Sequence, residues 1–339
     1  MDASEANFYR APESLSRLRL DGGKLVSEDG HQFEIENGVP NLLWPARLRA
    51  EEERTKTQYD QAASQIYAAA MQWQFAALYE DEAEVREKLV DLLEPQPDHR
   101  VLEVSCGTGR DSFRIARRLG PDGAFFAQDL SSGMVHACVD ELAKEHEREP
   151  FACERHFSIS NALYLPFPDD CFDSVFHFGG FNEFVDKKKA ASEFARVVKP
   201  GGIVVVGDES VGPWLRGTEF GNIVTTNNRL FANELPIDTL PESARDVAVR
   251  WIMANCFYVI TFRKGDGPPP LDLDLPHKGW RGGTMRSRYF GVLEGVTPEA
   301  KELAREAAAR AGMSVHEWLD SLVRRQAASE LSGSTRRRK

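Results

Sequence analysis

The stretch Val101-Leu-Glu-Val-Ser-Cys-Gly-Thr-Gly-Arg-Asp111 constrains the fold of this chain more than any other. An apolar run, Val101 to Val104, ends in small residues and passes into Asp111-Ser-Phe-Arg-Ile-Ala-Arg-Arg118, whose apolar spacing suits a helix. Strand, tight glycine turn and helix start follow one another without a spare residue. Gly107 and Gly109 permit positive φ and let a ligand approach the backbone closely, while the helix start offers unpaired N–H groups. This predicts a nucleotide-like ligand over the turn. Ser105 stands where the dinucleotide fingerprint G-x-G-x-x-G begins with glycine, so that fingerprint is not matched. Glu103, an acid at the carboxyl edge of a strand, is the sharper clue, because such residues face the ligand crevice of an open α/β sheet.

Strand and helix patterns alternate after this point. Ala124 to Asp129 reads as a second strand and Gly133 to His146 as its helix; Phe157 to Asn161 is a third strand and Phe172 to Phe178 a fourth. Lys187 to Val198 supplies the next helix, closed by Lys199-Pro-Gly-Gly202, and Ile203 to Gly207 a fifth, buried strand. The alternation predicts a doubly wound α/β sheet with helices on both faces. Arg250 to Met253 and Cys256 to Arg263 read as late strands of the same sheet, beyond a loop-rich insert from Gly212 to Asp246.

Short β elements precede the domain, at Lys24 to Ser27, Gln32 to Glu36 and Gly38 to Pro45, punctuated by aspartate-glycine and asparagine-glycine turns. Helical composition follows. Tyr67, Met71, Phe75 and Leu78 share one face with Trp73 off it, and Glu82 to Leu93 forms an amphipathic helix stopped by Pro95 and Pro97. These helices either lid the ligand site through Tyr59 and Tyr67 or are plain core. Near the other end, Thr297 caps a helix with Pro298 in its first turn, and Ser314-Val-His-Glu317 is a capping box for a second. The organisation expected is a small β leader at 1–46, N-terminal helices at 47–98 and the α/β domain at 99–264 with its insert at about 212–246. A proline- and glycine-rich crossing segment at 265–296, a helix pair at 297–329 and a basic tail at 330–339 complete it.

Composition narrows the function. A formal charge of -11 disfavours a general nucleic-acid-binding surface, because phosphate contacts need a basic face; a local basic patch stays open. No apolar run approaches the roughly 20 residues of a membrane helix, and the acidic start Met1-Asp-Ala-Ser-Glu5 lacks a signal-peptide segment, so a cytoplasmic protein is expected. Cys106, Cys138, Cys153, Cys171 and Cys256 form no C-x-x-C pair, which points to reduced thiols rather than a disulfide framework or a zinc site.

Several phrases occur in a fixed order: Glu103-Val-Ser-Cys-Gly-Thr-Gly109, then Asp129-Leu-Ser-Ser-Gly-Met134, then Asn161-Ala162 ahead of Leu165-Pro-Phe-Pro-Asp-Asp170. Phe172 to Phe184 and Arg196-Val-Val-Lys-Pro-Gly-Gly202 follow. Together they make Val101 to Asp208 resemble a class I S-adenosylmethionine-dependent methyltransferase domain, similar to the branch that includes quinone-biosynthesis and other small-molecule enzymes. The resemblance implies S-adenosylmethionine as cofactor. It sets Glu103, Ser105, Gly107, Gly109 and Asp111 around the methionine half, and Asp129 on both ribose hydroxyls, a task suited to a carboxylate that accepts two hydrogen bonds. Leu130 and Met134 flank the adenine, with Asn161 and Ala162 at its amino group, and Phe178 and Tyr59 complete the pocket. His177 and Glu183 fall where catalytic or acceptor-contacting residues lie, with His277 behind them.

The activity implied is methyl transfer to a small-molecule acceptor by in-line displacement. Two alternatives stand beside it: a nucleic-acid or protein methyltransferase, and a non-catalytic S-adenosylmethionine-binding regulator whose helix pair is similar to ribbon-helix-helix proteins. The aromatic and arginine-rich loops Pro213 to Arg216, Asn255 to Tyr258 and Lys278 to Tyr289 fit a substrate pocket or a homodimer interface equally. The leader resembles a zinc-ribbon-like leader found ahead of some bacterial methyltransferases, with its cysteines absent, which implies a metal-free β hairpin cap.

Overall fold

The computed structural model describes residues 2–62, 65–280, 282–290 and 296–333, in two compact units, Met1–Pro269 and Pro270–Lys339. In the first unit, Leu18–Asp21 (β1), Lys24–Ser27 (β2) and Gln32–Phe33 (β3) form a small antiparallel sheet. Ile35–Glu36 (β4) and Val39–Leu42 (β5) make a hairpin across Asn37-Gly38, both at positive φ (50° and 87°), the backbone that a tight two-residue turn needs. Three helices follow: Ala50–Ala62 (α1), Gln65–Ala77 (α2) and Glu82–Asp91 (α3), the last capped by the Asp81 side chain.

The alternating region is built of Arg100–Val104 (β6), Ser112–Arg117 (α4), Ala124–Asp129 (β7), Ser132–Arg148 (α5), Glu154–Ser160 (β8) and Phe172–Phe178 (β9). Lys187–Val197 (α6) and Val198–Glu209 (β10) follow. All six residues of β7 are buried, as a parallel strand covered on both faces requires. The fifth strand starts earlier than the expected Ile203, because α6 passes directly into it. Lys199 to Gly202 is an irregularity inside the strand, where the register slips between Val198 and Ile203 and Gly201 sits at φ 80°. The insert is likewise more ordered than its composition predicts. Thr218 accepts the Gly221 N–H at 3.1 Å and starts the helix Glu219–Asn227 (α7). The antiparallel pair Ala244–Ile252 (β11) and Phe257–Lys264 (β12) ends this unit.

One nine-stranded sheet results, in the order β11-β12-β10-β9-β6-β7-β8-β5-β4, parallel from β10 to β5. The leader does more than cover the domain, since β5 pairs with β8 and lengthens the sheet. Two apolar cores lie on opposite faces. One gathers Phe126, Phe167 and Phe172, packed edge to face with centroids 5.0 to 5.9 Å apart; the other holds Phe125, Phe176, Val205 and Phe257. Each fully buried aromatic contributes roughly 1.5–3 kcal/mol. Strand order reverses between β6 and β9, and the carboxyl ends beside that reversal are where a doubly wound sheet opens a crevice.

The second unit contains Met285–Phe290 (α8), Pro298–Arg310 (α9) and Val315–Gly333 (α10). Thr297 accepts the Ala300 N–H at 3.3 Å, and Ser314 and Glu317 form a reciprocal capping box, at 3.0 and 3.2 Å. The strand that a ribbon-helix-helix arrangement places ahead of α9 falls in 291–295, outside the described residues, as does the basic tail from 334 onward.

Candidate functional site

The turn after β6 is held in left-handed backbone at three positions: Ser105 (φ 58°), Gly107 (52°) and Gly109 (85°). Serine therefore adopts the conformation that glycine usually takes there, at a cost of about 1–2 kcal/mol. The two glycines serve different ends. A Cβ on Gly107 would meet nothing within 4 Å, whereas one on Gly109 would lie 3.1 Å from both Cys138 Sγ and Leu142 Cδ1, so Gly109 lets α5 pack on the turn.

A cavity opens over this turn at the carboxyl ends of β6, β7, β9 and β10, with one wall from α1. Ser105, Gly107, Leu130, Met134, Ala162 and Phe178 all line it. Three acids of the strand ends and the turn line it as well. Glu103 is almost completely buried, and the Ser112 hydroxyl donates to its Oε2 at 2.5 Å. Burial, and next the Asp111 charge, hold its carboxyl well above the usual range. Asp111 is also pushed up by burial, although Arg86 Nη1 donates to its Oδ2 at 2.5 Å; its Oδ1 has no partner among the described residues. Asp129 accepts the N–H groups of Gly107 (3.0 Å) and Ser131 (2.9 Å), yet burial outweighs them and raises it to about 6.

The first helix pins the other wall. Asp60 accepts the Ser131 hydroxyl at 2.5 Å and the Gly133 N–H at 3.1 Å, so it helps cap α5 from outside that helix. Tyr59 lines the cavity and donates to Glu183 Oε2 at 2.6 Å; the Tyr67 side chain lies outside the described residues. Burial, then the Asp208 charge, raise Glu183.

Three expectations change. Gly109, expected beside the methionine half, is not among the lining residues and instead packs against α5. His177 does not line the cavity: it is fully buried behind its wall among Phe181, Phe184 and Phe194, of which Phe184 itself lines the cavity, with Nδ1 donating to the Val104 carbonyl at 2.9 Å. Burial keeps it neutral, and the strand's alternation explains its place, since its neighbours Phe176 and Phe178 take the other face. Asn161 does line the cavity, but its amide oxygen closes its own turn on the Leu163 N–H (3.0 Å) while Nδ2 donates to Glu52 Oε1 (2.9 Å). Glu52 and Glu209 are lining residues that sequence reasoning missed. Glu52 is one of three consecutive glutamates, and nothing local distinguishes it. Glu209 follows Asp208 at the end of β10, a strand-end position that does carry a signal. Cys106 also reaches the cavity; its contact with Cys138, and then burial, push its thiol up and leave it unreactive.

Comparison with known proteins agrees with this geometry. A family model described as a methyltransferase domain matches residues 95–255. The chain is 40% identical over 107 residues to the ubiquinone/menaquinone biosynthesis C-methyltransferase UbiE of Geobacter sulfurreducens, a match covering 32% of this chain and 40% of that protein. It is 31% identical over 179 residues to the demethylmenaquinone methyltransferase of Geobacillus sp., covering 51% of this chain and 74% of that protein. A demethylmenaquinone methyltransferase of Desulfitobacterium hafniense is 28% identical over 181 residues, with 51% and 69% covered. The chain thus spans about two fifths of the Geobacter relative's own length, and much more of the other two. With the sheet order, the acids at the strand ends and the glycine turn in place, the chain belongs to the class I S-adenosylmethionine-dependent methyltransferase family.

Proposed function

We propose that this protein transfers the methyl group of S-adenosylmethionine to a small-molecule acceptor. One observation carries the reading: three acids, Glu103, Asp111 and Asp129, line one cavity beside a glycine turn at the reversal of strand order. The unpartnered Oδ1 of Asp111, with Glu103 behind it, fits the cofactor's ammonium group. Asp129 fits the ribose diol, since an ionised carboxylate has acceptor capacity left after two backbone N–H bonds. Met134 and Ala162 fit the adenine, whose amino group would meet Glu52 as well as Asn161.

The cofactor supplies a methyl group already activated on a sulfonium. The chain's own residues then have to align the acceptor and keep water out. Phe178, Phe184 and Phe257 form the apolar part of the wall, and Tyr59 closes it by its bond to Glu183. Glu183 is the group placed to hold an acceptor proton, because its raised carboxyl gains and loses protons nearer neutrality than a free glutamate does. Action in the cytoplasm fits the five free cysteines.

Calorimetry with S-adenosylmethionine, followed by mass spectrometry for S-adenosylhomocysteine after incubation with small-molecule acceptors, tests the reading. Binding in the micromolar range and turnover are expected; no binding at millimolar cofactor would overturn it.

A further inference from the structure

Beyond the acids that fit the cofactor, the cavity has a second half. Its wall is apolar at Phe178, Phe184, Leu230, Met253 and Phe257, and acidic at Glu183, after β9, and Glu209, the last residue of β10. The cations that line the cavity are already matched. Lys56 Nζ lies 2.8 Å from Asp60, Arg86 Nη1 2.5 Å from Asp111 and Arg110 Nη1 2.6 Å from Glu82. The charges acting on Glu183 and Glu209 are instead those of carboxylates, namely Asp208 and, for Glu209, Glu183 itself. Asp208 is fully buried and accepts the N–H groups of Asn182 and Glu209 at 2.5 and 2.8 Å, which fixes the pair from behind. Across β12, the Tyr258 hydroxyl is fully buried beside Asp208 without a partner among the described residues.

Burial and the neighbouring carboxylates push both carboxyls up, so each holds its charge poorly, and among the described residues no cation of the protein lines this half of the cavity; a ligand that brings a cation is what lets them ionise. We propose that Glu183 and Glu209 select a protonated amine on a flat apolar body as the methyl acceptor, an inference that rests on the methyl-transfer reading of this cavity. A neutral phenol offers a single donor and leaves the second carboxyl uncompensated. An ammonium supplies three donors and the missing charge. The cofactor's own ammonium is already served by Asp111 at the other end. In the reaction the ammonium gives one proton to a carboxylate, and the freed nitrogen lone pair forms the new C–N bond. The C–S bond breaks as that bond forms, its electron pair stays on sulfur as a neutral thioether, and the positive charge passes to the methylated nitrogen, held by the remaining carboxylate.

The test uses the full chain saturated with S-adenosylhomocysteine and three probes: 2-phenylethylamine, its uncharged counterpart 2-phenylethanol, and hydroquinone. Calorimetry should show the amine bound at least tenfold more tightly than either neutral probe, with Glu183→Gln and Glu209→Gln each removing that preference. Both variants should keep their affinity for S-adenosylhomocysteine, which also shows that they fold. Equal or tighter binding of a neutral probe, or no amine binding at millimolar concentration, overturns the inference while the methyl-transfer reading stands. Selective loss of S-adenosylmethionine over S-adenosylhomocysteine in the variants also overturns it, because the carboxylates would then be partners of the sulfonium. If wild-type protein binds neither form of the cofactor, the underlying reading has failed.

Discussion

Asp129, at the tip of β7, accepts the backbone N–H of Gly107 at 3.0 Å and so ties the turn after β6 to the neighbouring strand. Asp129→Ala removes this tie together with the carboxylate proposed to hold the ribose. Hydrogen bonds to a charged group contribute about 1.5–3 kcal/mol each, so cofactor affinity should fall at least ~100-fold. Calorimetry on folded variant, with circular dichroism as control, checks this; unchanged affinity removes Asp129 from the site.

The same residue sets a pH dependence. Its carboxyl is raised from 3.8 to about 6 in the folded chain, so its contribution to stability is fully present below pH 3.8 and is lost as pH rises through 6. With the proposed ribose contact, cofactor binding runs the other way, since the diol needs the ionised form. Affinity should be level above pH 7 and drop about tenfold per unit below 6. Titration calorimetry from pH 5 to 8 should show that slope in wild type and a shallower one in Asp129→Asn.

Ser105→Gly should raise stability by about 1 kcal/mol, because glycine occupies positive φ without the Cβ penalty. Urea unfolding measures it. A less stable variant would mean that the serine side chain compensates for its backbone.

The two glycines of the turn should separate on substitution. Gly109→Ala meets Cys138 and Leu142 at 3.1 Å and should lose about 1–3 kcal/mol of stability. Gly107→Ala has open space, carries only the backbone cost of its positive φ, and should lose cofactor affinity out of proportion to its melting temperature. Thermal denaturation and cofactor titration on both variants decide.

His177→Phe should lower stability by about 1–3 kcal/mol, since it leaves the Val104 carbonyl without its partner, and should leave turnover within about twofold of wild type. Abolished turnover in a folded variant would return the histidine to the chemistry.

Much of this was readable from residues near one another in sequence. The strand, turn and helix around Gly107 are set by local spacing, and Phe172 to Phe178 emerged with its observed limits because Asp169-Asp170 and Gly179-Gly180 bound it on both sides. The capping box at Ser314 is likewise a four-residue signal. What stayed hidden depends on distance. Tyr59 and Glu183 stand 124 positions apart, and Glu52 and Asn161 109 apart, so neither contact leaves a trace in local pattern. His177 shows the converse, since its motif position pointed to the site while the strand's two-residue alternation turned it away from the cavity, behind Phe184.

The pairing of β5 with β8 joins Asn41 to Ile159, and the Tyr9 hydroxyl reaches the Phe157 carbonyl at 3.1 Å. A ribosome releases β5 well before its partner exists. Until β8 emerges and β7 has been laid beside it, the leader hairpin has no edge to join, and the closing of so long a loop comes late in folding. The leader therefore acts as a clasp. Shortening it should slow the last assembly step and leave the β8 edge open to other chains, a hazard seen in refolding yield rather than in the chemistry of the cavity.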